Sequence, residues 1–207
     1  MTPPVPESLL ARLRADPLRA PEHIALAAAE RHAPAAAAWA AEKRGRLAVS
    51  EPQLARMAKR RHAAMARFEG AATGVGGIFT AVPDVVLLAW IQSRLVFFVA
   101  AAYGFDPRDP MRPAELLVLR DLYPDPQSAR QALDGIGRTV AEAYVGSRIE
   151  RGREQAMLSR LLMFVGKRTA GRAARRLIPG IAIAFNALAN EKDTRALADK
   201  AIAFYGG

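Results

Sequence analysis

The sequence predicts an all-α, single-domain helical bundle built around two Gly/Pro-broken apolar helical segments. Three observations predict it. Ala, Leu and Arg dominate, and Val and Ile do not alternate with polar residues over strand-length windows. Gly and Pro gather at the borders of apolar runs: Gly70, Gly74, Gly76, Gly77 and Pro83 precede one, and Pro179-Gly180 precedes the other. The 207 residues suffice for one sizeable core and do not require two. The expected division is an N-terminal arm and helix over 1–46 and the main helical domain over 47–207.

Along the chain, residues 1–20 read as a loose arm with a short helix near Leu9–Arg14. Residues 21–46 are helical by propensity, with Pro34 as a break or kink. Ser50-Glu51-Pro52-Gln53 is a start signal: Ser50 caps, Pro52 suits the first turn and Gln53 stands at the capping-box spacing. The helix that follows reaches Gly70, where a small-residue stretch over 70–82 begins. Pro83-Asp84 opens an apolar helix that Gly104 stops, and Asp106-Pro107-Arg108-Asp109-Pro110 is a turn. Two helices are expected over 111–122 and 126–149, and another over 150–176. A short apolar helix over 180–190 and a separate polar helix over 191–205 follow. No repeat of fixed period is present.

Residues 85–103 are just long enough to cross a bilayer, but Gln92 and Arg94 fall in the middle. An arginine there costs roughly 2.5–3.5 kcal/mol on insertion scales. A buried or re-entrant hairpin is therefore preferred over a true span. The N-terminus lacks the basic start and continuous apolar stretch of a signal peptide.

The net charge of +10 is concentrated in two runs. Residues 56–67 carry Arg56, Lys59, Arg60, Arg61 and Arg67 and no acid. Residues 160–176 carry Arg160, Lys167, Arg168, Arg172, Arg175 and Arg176, again without an acid. Each run borders an apolar segment, a pattern suited to an anionic, greasy surface such as a membrane face. A plain solvated face and a nucleic-acid contact are the other readings. Against nucleic acid, no recognised module is visible and aromatics are sparse near the runs. The Arg excess over Lys, with so much Ala, is also what a GC-rich bacterial genome gives.

Little supports catalysis. There is no Cys, which excludes thiol nucleophiles and Cys metal sites. His23, His32 and His62 form no metal-ligand spacing, no G-x-S-x-G occurs, and Gly74-Val75-Gly76-Gly77 lacks the G-K-[ST] ending of a phosphate loop. No cofactor and no metal are expected. Glu69, Asp84, Gln92, Arg94, Arg176, Asn186 and Asn190 interrupt or border apolar helices, where charge is costly unless paired. Of these, Glu69, Asp84, Gln92, Arg94, Asn186 and Asn190 are expected to form a buried polar network fixing helix register, or a small pocket for a headgroup or peptide. Arg94 is expected to pair with Glu69.

Residues 67–110 resemble the EcsC protein family. The matching features are Glu69-Gly70, Gly76-Gly77, Pro83-Asp84, Gln92-Ser93-Arg94, Tyr103-Gly104-Phe105-Asp106 and Asp109-Pro110. Arg176, Ile178-Pro179, Asn186 and Asn190 are similar to a later part of the family pattern, and the C-terminal Ala-Ile-Ala-Phe-Tyr-Gly also fits. The likeness covers most of 50–205. The family takes its name from a gene beside ABC-transporter genes, so the resemblance implies a fold and a transporter association rather than an activity. Together with the charge pattern, the expectation is a non-enzymatic accessory protein. It would sit at the cytoplasmic, inner face of the membrane and dock on anionic lipid through its basic runs. A membrane-associated lipid or peptide enzyme and a soluble nucleic-acid-binding module remain alternatives, and a homo-oligomer stays open.

Overall fold

The computed structural model describes residues 4–73, 81–139 and 179–207. Every regular element among them is helical: α1 (Glu7–Ala15), α2 (Ala20–Arg46), α3 (Glu51–Thr73), α4 (Ala81–Ala102), α5 (Arg112–Leu119), α6 (Pro126–Leu133) and α7 (Pro179–Gly206), with one 3₁₀ turn over Pro17–Arg19. The expected 150–176 helix and the 70–82 stretch from residue 74 to 80 lie outside the described residues.

The bundle is organised around α4. From Val86 to Ala102 this helix is buried or half-buried at every position, with Trp90, Ile91, Leu95, Phe97 and Phe98 fully enclosed. A helix apolar on all sides needs neighbours on all sides. α2 supplies one side and runs parallel to α4, since His32 meets Trp90, Trp39 meets Phe98 and Arg44 meets Ala101 in sequence order. α3 lies antiparallel, bringing His62 to Phe98 and Glu51 near Gly104. α7 is antiparallel to α3, with Lys59 on Asp199 and Arg67 near Glu191. α5 closes the remaining side, where Arg120 donates to the Ala89 carbonyl. The buried faces of α2 and α3 are largely alanine, which lets their backbones approach the large side chains of α4 closely.

Local signals explain the boundaries. Gln53 Oε1 accepts from the Ser50 N–H at 2.8 Å, one half of the capping box that starts α3. Gly104, at φ +84°, ends α4, with the Phe105 N–H donating to the Ala100 carbonyl at 3.1 Å. Arg44 at the end of α2 donates to the Ala101 and Ala102 carbonyls at 2.7 and 3.0 Å, satisfying the otherwise orphaned C-terminus of α4. Asp125 caps α6 by accepting from the Ser128 N–H at 2.8 Å.

Four expectations are corrected. α2 continues through Pro34, so the break allowed for there is absent; Pro34 sits on the solvent face, where water can take up the carbonyl its missing N–H leaves behind. The helix expected over 126–149 ends at Leu133, where Gly135 adopts φ +78° and its N–H turns back to the Ala132 carbonyl. The two helices expected over 180–190 and 191–205 are one, α7, because nothing in Asn190-Glu191-Lys192 breaks a helix whose apolar face continues through Leu197, Ala198, Ala201 and Tyr205. α4 starts at Ala81, ahead of Pro83-Asp84.

Candidate functional site

α3 displays the first basic run on a face set by its packing. Leu54, Ala58, His62 and Ala66 recur every fourth residue and are buried, so Arg56, Arg60, Arg61 and Arg67 are turned outward. Lys59 is half-buried and paired with Asp199 at 2.5 Å. Arg67 stands 3.8 Å from Glu191, a carboxylate that Arg195 also holds at 2.7 Å. Arg56 and Arg60 form no ion pair with a described residue, and Arg61 stands over the Phe98 ring, 6.0 Å from its centroid. Beside Arg67 on the same face, Phe68 is 74% exposed. An exposed aromatic on the same helix as exposed cations without an acidic partner is the composition of a surface that meets something anionic and apolar. Lys167, Arg168, Arg172, Arg175 and Arg176 lie outside the described residues.

Beneath that face lies a polar layer contributed by three helices. Arg94 of α4 is buried, 8% exposed, with its guanidinium carbon 4.7 Å from the Phe98 centroid. His62 of α3 packs edge-on to the same ring at 4.9 Å, and its Nδ1 lies 2.8 Å from the Ala58 carbonyl. His32 of α2 is fully buried against Trp90 at 4.3 Å. Arg94 Nε, His62 Nε2 and both His32 ring nitrogens are buried without a hydrogen-bond partner among the described residues. Burial pushes both histidines down to about 3, with Arg94 adding to the effect in each, so both are neutral. Burial, then the nearby Arg61, also lowers Arg94.

A second buried network joins α4 to α5 and α7. Gln92 Oε1 accepts from Arg120 at 2.9 Å, and Gln92 Nε2 donates to Thr194 Oγ1 at 3.4 Å. A third holds the end of α7. Arg112 is paired with Glu115 and, at 3.3 Å, with Asp109. The Tyr205 hydroxyl donates to Glu115 at 2.6 Å, and the Arg112 guanidinium sits over the rings of Phe105 and Tyr205. Burial raises the Glu115 carboxyl above the usual carboxylate range, and the hydrogen bond from Tyr205 and the charge of Arg112 oppose that. A fourth pair, Tyr123 on Glu22 at 2.5 Å, ties the α5–α6 connection to α2.

Of the polar residues singled out in the sequence, Gln92 and Arg94 are both buried on α4, yet they face different partners. Asn190 is half-buried on α7. The side chains of Glu69, Asp84 and Asn186 lie outside the described residues, and with them the expected Arg94–Glu69 pair. His32, His62, Arg112, Glu115, Arg120 and Thr194 were not anticipated as part of any network. His62 alone had a readable signal: it continues the buried series Leu54, Ala58, His62, Ala66.

No group of acidic or histidine side chains among the described residues is placed to hold a metal ion, and no described helix is long and apolar enough to cross a membrane. A family-wide sequence profile, that of the EcsC protein family, matches residues 22–206. The chain belongs to the EcsC protein family. Within this EcsC-family chain the match takes in α2, so the family likeness begins upstream of the boundary drawn at residue 47. Over 69 residues the chain is 35% identical to Protein EcsC of Bacillus subtilis (strain 168), a stretch covering 33% of this chain and 29% of that protein. No solved structure matches it.

Proposed function

We propose that this EcsC-family chain is a non-enzymatic accessory protein of the cytoplasmic membrane face, docking peripherally on anionic lipid through the outward side of α3. The observation that carries the reading is the set Arg56, Arg60 and Arg61, exposed and without an acidic partner among the described residues, on the same helix as the exposed ring of Phe68. At about 1 kcal/mol per cation near an anionic surface, these three supply roughly 3 kcal/mol. Partial insertion of Phe68 adds about 1–2 kcal/mol. Such a total gives weak, salt-released binding from this face alone. The second basic run would strengthen it. Docking leaves α4 where it is, because that helix is already enclosed by its neighbours. The association with an ABC transporter implied by the family's name is part of the proposal: a surface-docked bundle would meet such a partner at the membrane.

The test is flotation of the purified chain with vesicles of phosphatidylglycerol and phosphatidylcholine, at low and high salt. Binding to the anionic vesicles alone, released by salt and lost in Arg56→Glu/Arg60→Glu/Arg61→Glu, is the expected result. Binding that resists high salt would mean that apolar insertion dominates. No binding to any vesicle would refute the reading and make nucleic acid the next probe.

A further inference from the structure

Arg94 is a buried cation with a second cation, Arg61, over the same phenyl ring, at 4.7 and 6.0 Å from its centroid. No described carboxylate pairs with either. Two guanidinium groups that repel one another, one of them desolvated, make an arrangement that costs stability unless an anion lies within reach. Around them, His62 Nε2, both nitrogens of His32 and Arg94 Nε are buried polar atoms with no described partner. Native cores leave few such atoms unsatisfied, and four in one layer is a concentration that packing alone does not explain. Arg61 belongs to the exposed face of α3, so the layer connects to the surface that carries the other arginines.

We propose that Arg61 and Arg94 hold a phosphate between α3 and α4, with His62 forming one wall of the site and His32 lining its inner side. Charge balance selects the ligand class. The histidines are neutral, so the site carries two positive charges, which a phosphate monoester of charge near −2 neutralises and a carboxylate does not. Guanidinium groups give planar paired donors for phosphate oxygens, and His32, whose ring nitrogens are both without a described partner, can add an N–H; His62 gives its Nδ1–H to the Ala58 carbonyl and offers Nε2 only as an acceptor for a P–OH. The phosphate is either the headgroup of an anionic lipid or free in solution. The lipid source rests on the docking reading, and the site itself does not.

The experiment is isothermal titration calorimetry of the full chain with inorganic phosphate at pH 7.5 and low ionic strength. Saturable one-to-one binding is expected. Arg94→Met should weaken it at least tenfold and Arg61→Ala severalfold, while Arg14→Ala, at an exposed position of α1, should leave it unchanged. Arg94→Met replaces a buried charge by an apolar chain of similar length and should keep the fold; Arg61→Ala alters only an exposed position and keeps the test sound if it does not. Absence of saturable binding, or Arg94→Met binding phosphate as well as the unaltered chain, overturns the proposal. Vesicles separate the two sources. Preference for phosphatidic acid over phosphatidylglycerol at equal surface charge, removed by Arg94→Met, assigns the site to a lipid headgroup. Phosphate binding without that preference assigns it to free phosphate. Phosphate binding with no vesicle binding at all leaves the site standing and refutes the docking reading.

Discussion

Mild acid should destabilise this bundle before its ordinary carboxylates are titrated. The perturbation is a shift from pH 7 to pH 5. His32 and His62 titrate at about 3 in the folded chain and near the ordinary 6.5 when unfolded. Their folded values are depressed, so the unfolded state binds more protons below pH 6.5, and stability falls with pH from 6.5 toward 3. At pH 5 each histidine costs about 2 kcal/mol, from 1.36 kcal/mol per unit over the 1.5 units below 6.5. The pair therefore costs about 4 kcal/mol, a large share of a typical domain's 5–15 kcal/mol. Glu115, raised by burial, works in the opposite direction and moderates the loss as it takes up a proton. Asp109 and Asp125 are both lowered, chiefly by backbone hydrogen bonds from Met111 and Ser128, and contribute only at more acidic pH. Urea unfolding at pH 7, 6 and 5 measures the effect, with the m-value checked for constancy. His32→Phe/His62→Phe keeps aromatic packing and should flatten the profile. A flat profile in the unaltered chain, or an unchanged slope in the double variant, would refute the reasoning.

Two further outcomes follow from the fold, both read by urea or thermal denaturation. Gly104→Ala should destabilise by about 1–2 kcal/mol through the positive φ alone, because the added Cβ would meet Glu51 and Arg44 only at ordinary contact distances of 3.6 and 3.9 Å. Tyr205→Phe should cost about 1–3 kcal/mol, since it removes a donor from the buried Glu115; the loss should shrink at acid pH, where Glu115 is protonated and needs that donor less.

The sequence carried the fold where local chemistry decides structure. Ser50 and Gln53 start α3 through their own hydrogen bond, Gly104 ends α4 with the conformation only glycine adopts cheaply, and the apolar α4 is enclosed as its composition requires. The reading failed where the outcome depends on neighbours. Pro34 is harmless because the bundle turns it toward solvent, and Asn190 does not split α7 because α3 packs along that helix. The exposed cations of α3 were legible because burial of every fourth residue fixes which way they point. The layer of His32, His62 and Arg94 was not, because its members come from three helices and meet only after packing. Arg112 and Arg120 flank α5 in the sequence, and only their burial distinguishes them from exposed helix-end charges.

The position of α7 against α3 and α4 has a consequence for synthesis. The helix that covers one side of α4 is encoded about a hundred residues after it. At the ribosome's pace of about 5–20 residues per second, the side chains of α4 wait roughly 5–20 s for that cover. Throughout that interval a helix carrying Trp90, Phe97 and Phe98 is only partly shielded in the nascent chain, which makes it the natural point of engagement for a holding chaperone and the natural seed of aggregation without one.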